Sequence, residues 1–261
     1  MSASPTLVFV HGGWHSAHAW DKVTTILKKK DLKCVCVNLP SAAGVPTATI
    51  LDDIETVRDA ISAETTQGRD VVVVTHSFGS IVGSSAVKGF AAPKQGETQS
   101  DESGATGHVI GLAMIATGFV ATGASFLDTL GGIPPPIWKE EPGSPYLVWT
   151  VDVRLLLYQD LPEEEGHYWV TQLGKQTAKA FNEGGQYTYA GWKDVPVWAL
   201  GTVLDQGLPI AAQRQFVQDA NDAGANVVMR EIEASHSPML SKPDDTAAIL
   251  VEAVAAFTGQ K

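Results

Sequence analysis

Short β-branched or apolar runs alternate along the chain with stretches whose apolar residues recur every three or four positions. The runs Thr6–Val10, Lys33–Asn38, Asp70–Thr75, His108–Ala116, Val195–Leu200 and Asn226–Ile232 are bounded by Gly, Pro or polar residues and predict six buried strands. Between them, Ile50, Ile54, Val57 and Ile61 fall at i, i+4, i+7 and i+11 on one helical face. Strands alternating with helices predict an α/β fold. Its sheet is expected to be mostly parallel and flanked by helices, with right-handed crossovers and a ligand site at the carboxyl edge of the strands.

Two intervals break the alternation. Ala92–Gly107 is rich in Gly, Ser, Thr and charge without periodicity, and reads as a surface loop. Residues 119–190 are too many for a crossover and carry the large aromatics Trp138, Tyr146, Trp149, Tyr158, Trp169, Tyr187 and Tyr189. This stretch is expected to be a helical cap inserted over the sheet edge, with residues 1–118 and 191–261 forming the core. Within it Trp138, Trp149 and Trp169, with Trp14 from the first loop, are the candidate substrate-binding aromatics. Core packing of the cap accounts equally well for several of them.

The strongest local signal follows the third strand, where four valines run into Thr75-His76-Ser77-Phe78-Gly79 and a helix-compatible segment. Strand, tight turn and helix are the setting of a nucleophile elbow, in which a strained serine exposes its hydroxyl at the sheet edge. Thr75 stands where the usual G-x-S-x-G has its first glycine, and a helix N-cap is the ordinary alternative for Ser77. A serine hydroxyl is a poor nucleophile until a base takes its proton. Of the seven histidines, His76 must point away from its neighbour's hydroxyl and reads as a packing residue. His236, in Ala234-Ser235-His236-Ser237-Pro238 after the last strand, lies at the carboxyl edge, although a surface-loop histidine is the bland reading. Asp205 follows the strand Val195–Leu200 at that same edge and precedes His236 in chain order. Asp194 lies at the opposite edge, and Asp219 and Asp222 belong to the next helix. The first strand ends in His11-Gly12-Gly13-Trp14-His15, whose glycines let a backbone N–H approach a developing oxyanion, with Phe78 N–H as the second donor.

With these residues in place the chain resembles the α/β-hydrolase fold superfamily. HGGWHSAHAW, THSFG, TVLDQGLPIAAQ and ASHSPMLSKP are similar to the branch holding plant methylesterases, hydroxynitrile lyases and related small serine esterases. The resemblance implies Ser77 as nucleophile, His236 as base, Asp205 as its orienter, and Gly13 and Phe78 as oxyanion donors. It also implies about six core strands, because the leading antiparallel strands of the fold are missing. Hydroxynitrile lyases carry a lysine after the catalytic histidine and a threonine in the first loop, where this chain has Ser237 and Gly12.

Composition then narrows the function. With 18 basic against 29 acidic residues the net charge is -11, which repels nucleic acid and anionic lipid. The two cysteines, Cys34 and Cys36, share one face of a strand and read as buried free thiols, and no cluster has metal-ligand spacing. No metal or cofactor is expected. The start of the chain lacks a basic signal-peptide region, so a reducing, cytoplasmic setting is expected. The uncharged stretch Val109–Leu127 is apolar enough to suggest a membrane span. Crossing a bilayer there would separate Ser77 from Asp205 and His236, so a core strand followed by an apolar loop is expected instead. The expected activity is cleavage of a carboxylic ester, lactone or thioester of a small apolar or aromatic substrate. The alternatives are a cofactor-free C–C lyase and a non-catalytic receptor on the same fold, and homodimer formation is left open.

Overall fold

The computed structural model describes residues 4–93 and 106–259. Strands β1 (Thr6–Val10), β2 (Cys34–Val37), β3 (Val71–His76), β4 (Val109–Ile115), β7 (Val197–Thr202) and β8 (Val227–Ile232) form one parallel sheet in the order β2-β1-β3-β4-β7-β8. These are the six strands expected from the sequence, within a few residues at each end. Between β4 and β7, β5 (Trp138–Glu140) and β6 (Leu147–Trp149) pair as an antiparallel ribbon. The helices are α1 (Asp21–Lys28), α2 (Ile50–Thr65), α3 (Gly79–Ala86), α4 (Phe126–Thr129), α5 (Val153–Leu157), α6 (Glu163–Thr171), α7 (Ala178–Asn182), α8 (Ile210–Asp222), α9 (Pro238–Ser241) and α10 (Pro243–Phe257).

Alternation along the strands builds two cores. Val8, Val10, Val71, Val73, Leu112 and Met114 join the cluster holding Ile50, Ile54, Val57 and Ile61 of α2 and Ile81 and Val82 of α3. Leu7, Phe9, Val72, Val74, Ala113 and Ile115 join the cluster of Val23 and Leu27 from α1 and Leu250 and Val254 from α10. Successive side chains of a strand point to opposite faces, so a central strand covered on both sides must be apolar throughout. That is why β3 contains four consecutive valines. The capping box at Thr49, whose side chain accepts the Asp52 N–H while Asp52 accepts the Thr49 N–H, fixes where α2 begins.

Two expectations need adjustment. Cys34 and Cys36 are free but only half-buried, because β2 has a single neighbour and lies at the sheet edge. Burial still pushes their thiols up, to about 11 and about 12. The long segment between β4 and β7 is helical only in part. Pro134, Pro135, Pro136 and the Gly143-Ser144-Pro145 turn exclude helix there, and the intervening apolar residues pair as β5 and β6. Most of Ala92–Gly107 lies outside the described residues. The uncharged stretch Val109–Leu127 resolves into β4, a loop and the start of α4, and no described helix is long and apolar enough to cross a membrane.

At the amino edge of the sheet, away from the candidate site, Glu64 is buried and ties three segments together. It accepts hydrogen bonds from Thr6 Oγ1 (2.7 Å), Lys33 Nζ (2.8 and 2.9 Å) and Arg69 Nε (2.5 Å). The Arg69 bond, with help from Lys33 and Thr6, outweighs burial and lowers the carboxyl from its ordinary 4.5 to about 2. A depressed carboxyl pKa adds stability above the unfolded value, and that stability is lost as pH falls towards the folded one. Glu64→Gln should therefore lower stability at pH 7 by about 1–3 kcal/mol. In urea melts the gap between variant and wild type should close between about pH 5 and pH 2. A gap that does not change with pH would assign the effect to packing instead.

Candidate active site

The candidate site begins where β3 ends. Between Val71 and Val87 every residue is buried except Ser77. Ser77 has φ +49°, a left-handed backbone that a side chain adopts only at a cost of about 1–3 kcal/mol. Its N–H donates to the Ile115 carbonyl (3.0 Å), and its carbonyl accepts the Ser80 N–H (2.9 Å) and Thr117 Oγ1–H (3.2 Å). The turn swings α3 over the end of β1, where a Cβ on Gly79 would run into the carbonyl oxygens of Val10 and His11. Only glycine fits that close approach. The threonine in place of the first motif glycine is accommodated one helical turn later, since a Cβ on Gly83 would collide with Thr75 Cγ2. Thr75 Oγ1 is in turn hydrogen-bonded to Ser80 Oγ at 2.7 Å.

The other two predicted residues meet beside the elbow. His236 Nδ1 lies 2.7 Å from Asp205 Oδ2. Asp205 also accepts hydrogen bonds from Thr202 Oγ1 (2.8 Å) and Gln213 Nε2 (3.3 Å) on Oδ2, and from Gly207 and Leu208 N–H (both 2.8 Å) on Oδ1. Burial opposes its ionisation most strongly. His236 and the hydrogen bonds outweigh that penalty and hold the carboxyl below its usual range. Because Asp205 accepts, the His236 ring donates through Nδ1–H, and His236 borders the cavity that Ser77 also lines. His76, read as a packing residue, has a more specific place: its Nε2–H donates to the His236 carbonyl (2.8 Å), and the two rings lie 4.9 Å apart.

Two further histidines order the first loop. The Gly12 carbonyl accepts His11 Nδ1–H (2.8 Å) and the His15 N–H (3.3 Å), while the Gly13 carbonyl accepts His15 Nδ1–H (2.9 Å). The second nitrogen of each ring accepts a hydrogen bond, from the Leu39 N–H at His11 and from the Tyr158 hydroxyl at His15. Both rings are thereby held neutral. Burial, the largest cause, lowers His11 to about 4 and His15 to about 3, and puts His76 well below its usual value. No hydrogen bond among the described residues uses the N–H of Gly13 or Phe78, and both residues border the same cavity as Ser77 and His236.

That cavity has a volume of about 560 Å³. Trp14, Trp138 and Trp149 line it as expected, with the rings of Trp14 and Trp149 4.0 Å apart. Trp169 does not. It is 6% exposed, packs 4.9 Å from the His18 ring and belongs to the core cluster on the α1 and α10 side of the sheet. Sequence reasoning missed Phe181, whose ring lies within 5.6 Å of those of Trp14, Phe78, Phe126 and Trp138 and forms the hub of the cavity wall. It stands in the five-residue α7, too short to show a period. Among the described residues no group of three His, Cys, Asp or Glu side chains could hold a metal ion.

A sequence model of the alpha/beta hydrolase family matches residues 7–249. The chain belongs to that family. This hydrolase is 28% identical to the alpha/beta hydrolase nvfD of Aspergillus novofumigatus, covering 92% of both chains. It is 26% identical to Methylesterase 1 of Arabidopsis thaliana, covering 90% of both. Its fold is shared with the crystal structures of the Arabidopsis methylesterase MES16 (TM-score 0.72, 19% identity, 97% of this chain and 99% of that one) and of polyneuridine aldehyde esterase (TM-score 0.74, 18% identity, 96% and 99%).

The compensation between Thr75 and Gly83 is open to a double-mutant cycle in this hydrolase. Gly83→Ala should cost about 1–3 kcal/mol in urea denaturation through overpacking. Combined with Thr75→Ser, which removes the obstructing methyl and keeps the hydroxyl, it should cost less than the sum of the two single changes. A strictly additive cycle would show that the methyl is not the obstacle.

Proposed function

We propose that this alpha/beta hydrolase is a serine esterase acting on neutral, bulky, largely apolar esters. The observation that carries the reading is the shared cavity. Ser77 in its left-handed turn, His236 held from behind by Asp205, and Gly13 and Phe78 with their unengaged N–H groups all border one apolar chamber. In this mechanism His236 Nε2 takes the Ser77 proton as Oγ attacks the ester carbonyl. The N–H groups of Gly13 and Phe78 hold the oxyanion, and His236 returns the proton to the departing alcohol. Water activated by the same nitrogen then releases the acid from Ser77. General-base help contributes roughly 10²- to 10⁴-fold, and one oxyanion donor about 10²- to 10³-fold. The names of the similar methylesterase and of the two structural neighbours support ester over thioester or lactone chemistry.

The cavity also supports a substrate class. Its walls are aromatic and aliphatic, and among the described residues no lysine or arginine lines it and its two carboxylates, Asp128 and Asp219, are exposed. Such a site offers dispersion and apolar burial to a neutral ester and nothing to balance an anion. The acid product is negatively charged, so the same field favours its departure. Gly12 weighs against the lyase alternative. A Cβ there would lie 2.8 Å from His76 Nδ1 and 3.2 Å from Ser77 Cβ, leaving no room for the threonine of that pattern without a shift. Ser237, at the lysine position, is 1% exposed.

Ser77→Ala should lower kcat/KM for p-nitrophenyl butyrate by about 10⁴- to 10⁶-fold, and Asp205→Asn by about 10⁴-fold, with the fold intact by circular dichroism. Fluorophosphonate labelling followed by peptide mapping should place the adduct on Ser77 alone. Wild-type turnover by the Ser77→Ala protein would remove the reading.

For substrate charge, a neutral aryl ester and its ring-carboxylate analogue should differ in kcat/KM by at least about tenfold in favour of the neutral one. Equal rates would mean that the chamber does not select on charge.

A further inference from the structure

The segment between β4 and β7 does more than wall the cavity, because it also holds the oxyanion loop. Trp14 has φ +59°, a conformation costly for any residue with a side chain. Three contacts hold it there, all from this segment. Gln176 Oε1 accepts the Trp14 N–H (3.3 Å), the Gly174 N–H donates to the Trp14 carbonyl (2.6 Å), and Trp14 Nε1–H donates to the Leu147 carbonyl (3.3 Å). Gln176 is fully buried and is itself tied down. Its Nε2 donates to Ser41 Oγ (2.9 Å), and Ser41 donates to Asp53 through both its N–H (2.9 Å) and its hydroxyl (2.5 Å). The hydrogen bonds therefore run from the Trp14 N–H through Gln176 and Ser41 to the buried Asp53 carboxyl group, which burial raises to about 7.

We infer that Gln176 is a positioning residue that sets the aim of the Gly13 N–H, with Ser41 and Asp53 as its anchor. The inference rests on the serine-esterase reading given above. A peptide group is planar, with its C=O and N–H pointing in opposite directions. The Gly12–Gly13 peptide is fixed at its carbonyl by His11 and His15, which leaves the Gly13 N–H facing the cavity. The next peptide, Gly13–Trp14, is clamped at its carbonyl by His15 and at its N–H by Gln176. Without the Gln176 carboxamide the Trp14 N–H is buried and unpaired. The Gly13–Trp14 plane is then held at its carbonyl end alone, and the Gly12–Gly13 plane joined to it at Gly13 loses that support for the aim of its N–H. Gln176 touches no reacting atom, so its loss acts on the transition state more than on ground-state binding.

The test replaces Gln176 with methionine, which removes the carboxamide at similar volume. Gln176→Met should lower kcat for a p-nitrophenyl ester on the order of tenfold to 100-fold, with KM changed less than about threefold. Affinity for an aryl trifluoromethyl ketone, whose tetrahedral adduct uses the same donors, should fall by the same factor as kcat/KM. Affinity for the matched methyl ketone should stay within about twofold of wild type. A merely structural role would weaken both ketones together. Ser41→Ala removes the next member of the chain and should give the same pattern at smaller size; it decides the question if Gln176→Met does not fold. Folded variants with wild-type kcat and wild-type trifluoromethyl ketone affinity overturn the inference. Failure of the esterase reading gives a different result, namely a wild-type protein without ester turnover or a Ser77→Ala protein as active as wild type.

Discussion

A serine with φ +49° in the middle of a packed sheet is the constraint from which the site follows. The strain is sustained because β3 is central, with β1 and β4 fixing the turn on either side, and because α3 leaves over a glycine where any side chain would strike β1. The same device recurs at neighbouring strand ends. Of the four non-glycine residues with left-handed backbone among the described residues, Trp14 follows β1, Ser77 follows β3 and Ala116 follows β4, and all three line the cavity. Strain is concentrated at the carboxyl edge of three adjacent strands, where each sharp departure turns backbone groups or a side chain towards one volume.

Electrostatics at that edge are simplified by burial. His11, His15 and His76 cluster beside His236, yet desolvation and their hydrogen-bond partners keep them uncharged. As imidazolium ions they would repel any positive charge gathering on His236. As neutral rings they act through fixed hydrogen bonds, two on the glycine loop and one on the His236 carbonyl. Among the described residues Asp205 is the carboxylate bonded to His236, and five accepted hydrogen bonds from His236, Thr202, Gln213, Gly207 and Leu208 keep it ionised and oriented. A charge so fully paired pays its desolvation cost locally.

The parts of this structure that could be read from the chain are those with a repeating physical cause. Buried central strands must be apolar on both faces, so β1, β3, β4 and β7 stand out as runs. Residues just after such strands in a parallel sheet must share one edge, which places Ser77, Asp205 and His236 together before any coordinate is known. Strand order leaves no comparable trace, and Cys34 and Cys36 are half-exposed because β2 is at the edge. Elements of three to five residues are too short for a period, so the β5–β6 ribbon and the central role of Phe181 were not legible. An aromatic residue declares burial without declaring which core it enters, and Trp169 faces the other one from Trp138. The missing glycine at Thr75 became intelligible only with Gly83 opposite it.

The segment between β4 and β7 is joined to the carboxyl edge of the sheet at more points than the Gly12–Trp14 loop. The Ser235 N–H donates to Asp160 Oδ2 (2.8 Å) and Ser235 Oγ–H to the Leu157 carbonyl (3.0 Å), next to His236. Gln159 Nε2 donates to the Leu204 carbonyl, next to Asp205 (2.5 Å). The stretch from the end of α5 to Asp160 therefore braces the loops of both His236 and Asp205, while Leu147, Gly174 and Gln176 brace Trp14. A pocket wall connected only to substrate could vary freely as substrates change. A wall that also supplies hydrogen bonds to the residues flanking His236 and Asp205 cannot, because each lost bond leaves a polar group unpaired and loosens the loops that hold this pair. Variation for specificity is consequently easiest in side chains such as those of Trp138, Trp149 and Phe181, which face the cavity and carry no bracing bond, and hardest at 157–160 and 174–176.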